Sequence, residues 1–303
     1  MSSGDASTQP ISVVTGANSG IGRATAIYLA ERGHRVIGTV RSIDKATKLN
    51  AMAAERGVNV ELAELDVAVD ESVATGFADI LDRVGHVDHL VNNAGIGGNG
   101  VVEETSSEAY HDVYNVNVVG AVRCAKAVLP QMRERGSGTI VNITSVAGRI
   151  GSIAQAPYVA SKWALEGVSE ELAAELAPFG IRVAIIEPGV TKSAIIAKNT
   201  EQPNATGAYG AHYRQMFQLY FAGRLNATDP FEVGEVVHEA IVTDSPRLRY
   251  HVSWAGAELA PMHDRIDDQD WIGLGEAIDD DEGYAQRFED IFGLDIRIPE
   301  GSV

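Results

Sequence analysis

Short apolar runs alternate with amphipathic stretches along most of the chain. The runs cover residues 11–15, 35–40, 58–65, 89–92, 139–143, 182–186 and 247–252, and most are rich in Val and Ile. Between them lie stretches with helical spacing, among them 21–32, 71–83, 158–176 and 231–243. Strands that are apolar throughout belong in a parallel sheet covered by helices on both faces. The alternation therefore predicts an α/β fold: a single doubly wound, Rossmann-type, mostly parallel sheet of about seven strands flanked by helices. One catalytic body is expected over 11–263, after a disordered leader over 1–10. Two segments break the rhythm. Residues 191–229 form a long insert rich in Tyr, Phe and Met, and connections of that length are usually functional, as lids are. Residues 264–303 form an acidic extension.

Charge sharpens the second point. The formal net charge is −18, from 42 acidic and 24 basic residues. From Asp264 onward, 13 acids stand against three bases, a net of −10, which leaves −8 on the first 263 residues. No cluster of Lys and Arg appears, which excludes a nucleic-acid partner. The single Cys124 excludes an intramolecular disulfide and a cysteine-based zinc site, and no His spacing suggests a metal. No apolar run is long enough to span a membrane, and the leader lacks the apolar stretch of a signal peptide. A reduced, cytoplasmic protein is the expectation. Asn-x-Thr triplets at Asn142, Asn204 and Asn226 are then chance matches to the glycosylation pattern.

After the first apolar run comes Thr15-Gly16-Ala17-Asn18-Ser19-Gly20-Ile21-Gly22, leading into a helical stretch. Glycines let the backbone turn sharply and approach a pyrophosphate, while a helix start offers free N–H groups and a positive dipole end. Alone, such a turn can equally be a strand-to-helix connection with no ligand. It stands, however, with Asn92-Asn93-Ala94-Gly95, Ser145, Tyr158-x-x-x-Lys162 and Pro188-Gly189, in that order. In these five motifs the chain resembles the short-chain dehydrogenase/reductase family, over residues 11 to about 252.

The resemblance implies a nicotinamide cofactor held by Gly16, Asn18, Ser19, Gly20, Ile21 and Gly22, with Asp66 and Val67 beside the adenine and Asn93, Ala94 and Gly95 bordering the site. In a dinucleotide fold an acid ending the second strand binds the ribose 2′-hydroxyl, whereas an Arg accommodates a 2′-phosphate. By family alignment Val40 takes the acidic position and Arg41 follows, so NADP(H) is expected, with Arg41 on the phosphate and Ser42 assisting. Ser19 stands where many NADP enzymes of the family place a second basic residue. Pro188 and Gly189 are implied beside the nicotinamide. The hydroxyl that bonds its carboxamide is either Ser193, the first choice, or Thr191.

Tyr158 and Lys162 are four residues apart and share one face of a helix. A phenol titrates near ~10, and an ammonium beside it stabilises the phenolate and brings it towards neutral pH. The same lysine can hold the nicotinamide ribose. Ser145, thirteen residues upstream of Tyr158, would stabilise negative charge developing on a carbonyl oxygen. The family's fourth member is an Asn that anchors a water and lysine relay. Asn117 fits it better than its neighbour Asn115, because Gly120 sets the register.

These residues point to an oxidoreductase that interconverts a ketone or aldehyde and an alcohol, with Tyr158 as proton donor or acceptor. An epimerase or dehydratase on the same scaffold, or a non-catalytic NADP-binding sensor, are the competing readings. The pocket walls are expected from residues 96–98, 149–155 and the insert, where Tyr209, Tyr213, Met216, Phe217 and Tyr220 recur at helical spacing. That stripe suits core packing and an apolar lid equally well. If it is a lid, the small-molecule substrate is apolar and bulky. Family members often pair through helices corresponding to 106–135 and 158–176, so a homodimer or homotetramer is possible. In the tail, a short helix after Asp281 is expected to pack on its own subunit or a neighbour.

Overall fold

The computed structural model describes residues 9–192 and 203–299. Part of the expected leader and the residue Ser193 lie outside the described residues. Seven strands form one sheet: β1 (Ile11–Val14), β2 (Arg35–Val40), β3 (Glu61–Glu64), β4 (His89–Asn92), β5 (Gly138–Ile143), β6 (Ile181–Pro188) and β7 (Arg249–Val252). Their order is β3-β2-β1-β4-β5-β6-β7, and every neighbouring pair is parallel. The order reverses between β1 and β4, so a crevice opens at the carboxyl ends of the strands, where doubly wound folds bind ligands.

Helices α1 (Gly20–Glu31) and α2 (Thr47–Glu55) follow β1 and β2; α3 (Asp70–Val84) follows β3. Between β4 and β5 lie α4 (Ser107–Tyr114), a π-helical turn (Asn115–Val119) and α5 (Gly120–Arg135). The helix α6 (Ala156–Leu176) precedes β6. One apolar core, including Phe77, Leu90 and Ile140, lies under one sheet face; Ile27, Val141 and Ile186 belong to the core under the other. A buried polar ladder ties α6 to the sheet: Asn92 Nδ2 donates to Asn142 Oδ1 at 2.9 Å, and Asn142 Nδ2 to Ser169 Oγ at 2.8 Å.

The insert contains α7 (Gly210–Asn226), and α8 (Pro230–Val242) leads to β7. Asp229 starts α8 by accepting the Phe231 N–H at 2.9 Å, with Pro230 in the first position, where a missing N–H costs nothing. A short α9 (Gly256–Leu259) follows β7, and the tail folds into α10 (Asp268–Glu276) and α11 (Asp281–Phe292). Its acidity has a local cause. Asp267 accepts the Asp270 N–H at 2.8 Å and Asp280 the Gly283 N–H at 3.0 Å, and Asp281 and Glu282 sit at the positive end of α11. The apolar faces of these helices pack on this chain's own residues: Leu274, Tyr284, Phe288 and Phe292 join Ile150, Ala211 and Leu259 in a third cluster.

At the opposite end of the sheet, buried His34 lies with Nδ1 2.8 Å from Ser12 Oγ and its ring 5.5 Å from His89. Burial, with the neighbouring His238, pushes His34 down to about 4; burial, with His34, does the same to His89. Both values lie below the ordinary 6.5, so the unfolded chain takes up protons first. The stability they confer is complete above pH 6.5 and is lost as pH falls towards 4. Thermal unfolding followed between these limits should show Tm falling with acidification, less steeply in His89→Asn; an equal slope would assign the loss to carboxylates alone.

Candidate active site

A cleft of about 1180 Å³ runs along the carboxyl ends of the strands. One end is the turn after β1, where Gly16 and Gly20 adopt φ of +67° and +53°. Gly22 does not face the cleft; a Cβ there would lie 2.2 Å from Asn93 Nδ2, so it allows α1 to approach β4. Asn93 pins the same turn, donating from Nδ2 to the Thr15 carbonyl at 2.8 Å, while the Asn93 and Ala94 N–H groups donate to Thr15 Oγ1, both at 3.0 Å. Ser19, in extended backbone before α1, spends no side-chain bond on the helix start, and no acid lies in the first turn. Asn18 Oδ1 is buried without a hydrogen-bond partner. Free backbone amides at the start of α1 and the absence of competing acid form a cradle that fits a pyrophosphate.

Past this turn the cleft is lined by Val40, Arg41, Ser42, Asp66 and Val67. Asp66 also closes its own turn, Oδ1 accepting the Ala68 N–H at 3.0 Å. Lys45, which sequence reading overlooked, lines the same end from a single 3₁₀ turn over Ile43–Lys45. Among the described residues Arg41 and Lys45 make no ion pair, and both are exposed. Two unpaired cations and no acid at the end of β2 suit a phosphate on the adenosine ribose.

Ser145, Tyr158 and Lys162 come together in the middle of the cleft wall. Ser145, two residues past β5, accepts the Ala147 N–H at 3.1 Å and donates to the Pro188 carbonyl at 3.4 Å. Lys162 donates from Nζ to the Ile143 carbonyl at 2.9 Å, and Nζ lies 5.6 Å from the centre of the Tyr158 ring. Burial pushes the Tyr158 phenol up, and a hydrogen bond with Ser145 pulls it back. Burial pushes Lys162 down to about 8, against the pull of Glu166.

Asn117 is buried behind this group, outside the lining, in the π-helical turn. Its Oδ1 accepts the Ile96 N–H at 2.8 Å, and its Nδ2 donates to the Ile96 carbonyl at 3.0 Å and to Ser161 Oγ at 2.9 Å. It therefore clamps the loop after β4 to α6. Asn115 points elsewhere, donating to the Ala68 carbonyl at 3.1 Å and accepting from Arg123 at 2.8 Å. A π-turn of this kind commonly marks a functional position.

Pro188 and Gly189 close the same wall. A Cβ on Gly189 would lie 1.9 Å from the Trp254 carbonyl oxygen, so only glycine lets β6 leave the sheet past β7. Thr191 faces the cleft, with Oγ1 3.0 Å from Ser253 Oγ.

The outer wall differs from expectation. Ile96, Gly97, Ile150–Ile153 and Gln155 contribute, but of the five residues in the insert's stripe only Tyr220 lines the cleft, next to Leu219. Tyr213 and Met216 are core, packed with Val101 and Ala154. The Tyr213 hydroxyl donates to the Pro203 carbonyl at 2.7 Å. Helical spacing placed the stripe on one face of α7, but that face meets the protein's own loops. The missing wall comes from the tail: Trp271, Leu274, Tyr284, Phe288 and Phe292.

A profile of the family described as short chain dehydrogenase matches residues 10–204. The chain belongs to the short-chain dehydrogenase/reductase family. It is a family of oxidoreductases that bind a nicotinamide cofactor. Human 17-beta-hydroxysteroid dehydrogenase type 1 is 36% identical over 275 residues, covering 84% of this short-chain dehydrogenase and 80% of the human protein. A short-chain dehydrogenase from Streptomyces avermitilis superposes with a TM-score of 0.74 at 36% identity, over 92% of this chain and 99% of that one. An actinorhodin polyketide ketoreductase variant solved with NADPH gives a TM-score of 0.66 at 32% identity, over 77% of this chain and 90% of that one.

Proposed function

We propose that this short-chain dehydrogenase interconverts a bulky, apolar ketone or aldehyde and the corresponding alcohol, using NADP(H). The observation that carries the reading is the convergence of Ser145, Tyr158 and Lys162 on one wall of a cleft that also holds the phosphate cradle. The bound cofactor supplies or accepts the hydride. Ser145 Oγ, turned from the Pro188 carbonyl, donates to the substrate oxygen and stabilises the charge that develops there. Tyr158 Oη delivers the proton to that oxygen in reduction and takes it back in oxidation. Lys162, held by the Ile143 carbonyl, keeps a cation beside the phenol and is within the lining to hold a ribose hydroxyl. Asn117 and Ser161 fix α6, and with it both groups, against the loop after β4.

The preference for NADP(H) is supported by Arg41 and Lys45, and by the absence of an acid at Val40. A complex of the related polyketide ketoreductase with NADPH agrees with it. Arg41→Ala with Lys45→Ala should weaken NADPH binding roughly 10- to 100-fold and leave NADH almost unchanged, since the two solvent-exposed charge-assisted contacts together are worth about 1.5–3 kcal/mol. Calorimetric titration with both cofactors checks this; equal losses for both would remove the phosphate assignment.

An apolar substrate is supported by the aromatic outer wall, and the hydroxysteroid in the human relative's name is a compound of that class. Self-association is part of the same reading. An apolar groove of about 510 Å³ between α5 and α6, lined by Val122, Leu129, Val168 and Leu172, supports pairing with a second copy. Among the described residues no helix is long and apolar enough to cross a membrane.

A further inference from the structure

Behind the cleft wall lies a second group of ionisable residues. Glu166 is one helical turn beyond Lys162 on α6 and only 4% exposed; Glu187 ends the apolar run of β6 directly before Pro188 and is fully buried. Both carboxylates meet one guanidinium from β7. Arg249 Nε lies 3.1 Å from Glu166 Oε2 and 3.2 Å from Glu187 Oε1. Glu187 Oε2 lies 2.6 Å from His251 Nδ1, also on β7, and Glu187 Oε1 is 3.8 Å from Arg149, which reaches Asp264 of the tail at 3.7 Å. Exposed Glu170, a further turn along α6, takes the other end of Arg249. Just after β5, Thr144 lies against the Glu166 carboxylate, but its hydroxyl donates to the Ile186 carbonyl at 3.0 Å. Glu166 Oε1 is thus left buried with no well-formed hydrogen bond.

A buried carboxylate with one unpaired oxygen is expensive unless a nearby positive charge benefits from it. Arg249 is already shared with Glu187 and Glu170. The other cation on the same face of α6 is Lys162, whose ammonium has no carboxylate contact of its own among the described salt bridges. The Gly148 turn fits both: a Cβ there would lie 3.1 Å from Glu166 Cγ and 3.1 Å from the Lys162 carbonyl oxygen.

We propose that Glu166 is a positioning residue for the proton-transfer pair, its buried carboxylate keeping Lys162 protonated while Arg249, itself anchored by Glu187, holds that carboxylate in place. The inference rests on the proposed role of Lys162. Burial alone drives Lys162 towards the neutral amine, and a neutral amine cannot support the phenolate. Burial and Glu187 push the Glu166 carboxyl up, with Arg249 opposing. Lys162 is pushed down to about 8. The Arg249 guanidinium, 3.1 Å from Glu166 Oε2, favours the ionised carboxylate that the lysine needs. Lys162 and Glu170 on α6, Thr144 just after β5, Glu187 on β6 and Arg249 on β7 are the charged and polar groups around it, and Arg149 and His251 act on it through Glu187.

The test is an NMR titration of 15N-lysine-labelled, unliganded protein, with the Lys162 signal assigned by its loss in Lys162→Met. In Glu166→Gln, which keeps the shape and removes the charge, the Lys162 midpoint should fall by about one pH unit. Glu166→Asp, which keeps the charge, should restore most of the shift, and Glu187→Gln should leave the midpoint near the native value. With NADPH and a ketone, the alkaline loss of kcat should move down in Glu166→Gln by the same amount, with KM little changed. An unmoved Lys162 midpoint in a folded Glu166→Gln protein, whatever its Tm, would overturn the proposal. Because the titration uses no cofactor or substrate, it reads Glu166 even if the proposed reaction fails.

Discussion

Tyr158→Phe should lower kcat for ketone reduction by about 10²- to 10⁴-fold, the usual worth of a positioned general acid. The substitution removes one oxygen and leaves the ring beside Lys162, whose bond to the Ile143 carbonyl does not involve Tyr158. The backbone contact from Ser161 to the Tyr158 carbonyl, 2.7 Å, also survives. NADPH affinity should stay within a few-fold of native, because the phosphate turn and the Arg41 end of the cleft are untouched. Stopped-flow or steady-state NADPH oxidation, read beside a fluorescence titration of NADPH, separates the two quantities. Retained turnover would remove the proton-transfer role, and lost NADPH binding would mean that the cofactor site had been disturbed.

Phe288→Ala should raise KM for a bulky apolar ketone at least tenfold and leave KM for a small ketone nearly unchanged. Phe288 is buried, its ring 4.5 Å from Phe292 and 6.3 Å from Tyr284, and all three line the cleft. Truncating it deletes part of the wall against which an apolar substrate packs, and losses of this kind run to roughly 10- to 200-fold. Removal of a buried phenyl ring also costs about 3 kcal/mol of stability, so Tm should fall. Phe217→Ala is the contrasting variant. Phe217 packs edge-to-face on Tyr220 at 6.0 Å, outside the lining, so it should lower Tm with KM unchanged. If Phe217→Ala raised KM and Phe288→Ala did not, the tail would be packing and the insert would be the lid.

Much of the fold is legible from local pattern because parallel strands buried on both faces leave apolar runs with clear edges. The run 58–65 is the instructive exception, since only Glu61–Glu64 pairs. This strand lies at the sheet edge with β2 as its single neighbour, and its pairing begins only at Glu61, after the run has started. Motif residues of the cleft were legible for a different reason. They sit in turns and on one helix face, where chemistry depends on residues close in sequence. The tail's contribution was not legible, because Leu274, Tyr284, Phe288 and Phe292 are interspersed with acids whose work is helix capping. Nor was the Glu166–Arg249 contact, which joins residues 83 positions apart and reads in sequence as two surface charges. Periodicity identified the α7 stripe but carries no information about which neighbour the stripe meets.

The central claim is that the cleft transfers hydride between NADPH and a bulky apolar carbonyl compound. Incubating the protein with NADPH deuterated at C4 of the nicotinamide and a panel of steroid, retinoid and other bulky ketones and aldehydes tests it directly by mass spectrometry. The account predicts an alcohol product with deuterium on the carbinol carbon, formed faster with NADPH than with NADH. Tight NADPH binding with no deuterium transferred to any member of the panel, or a product whose redox state is unchanged, would contradict it.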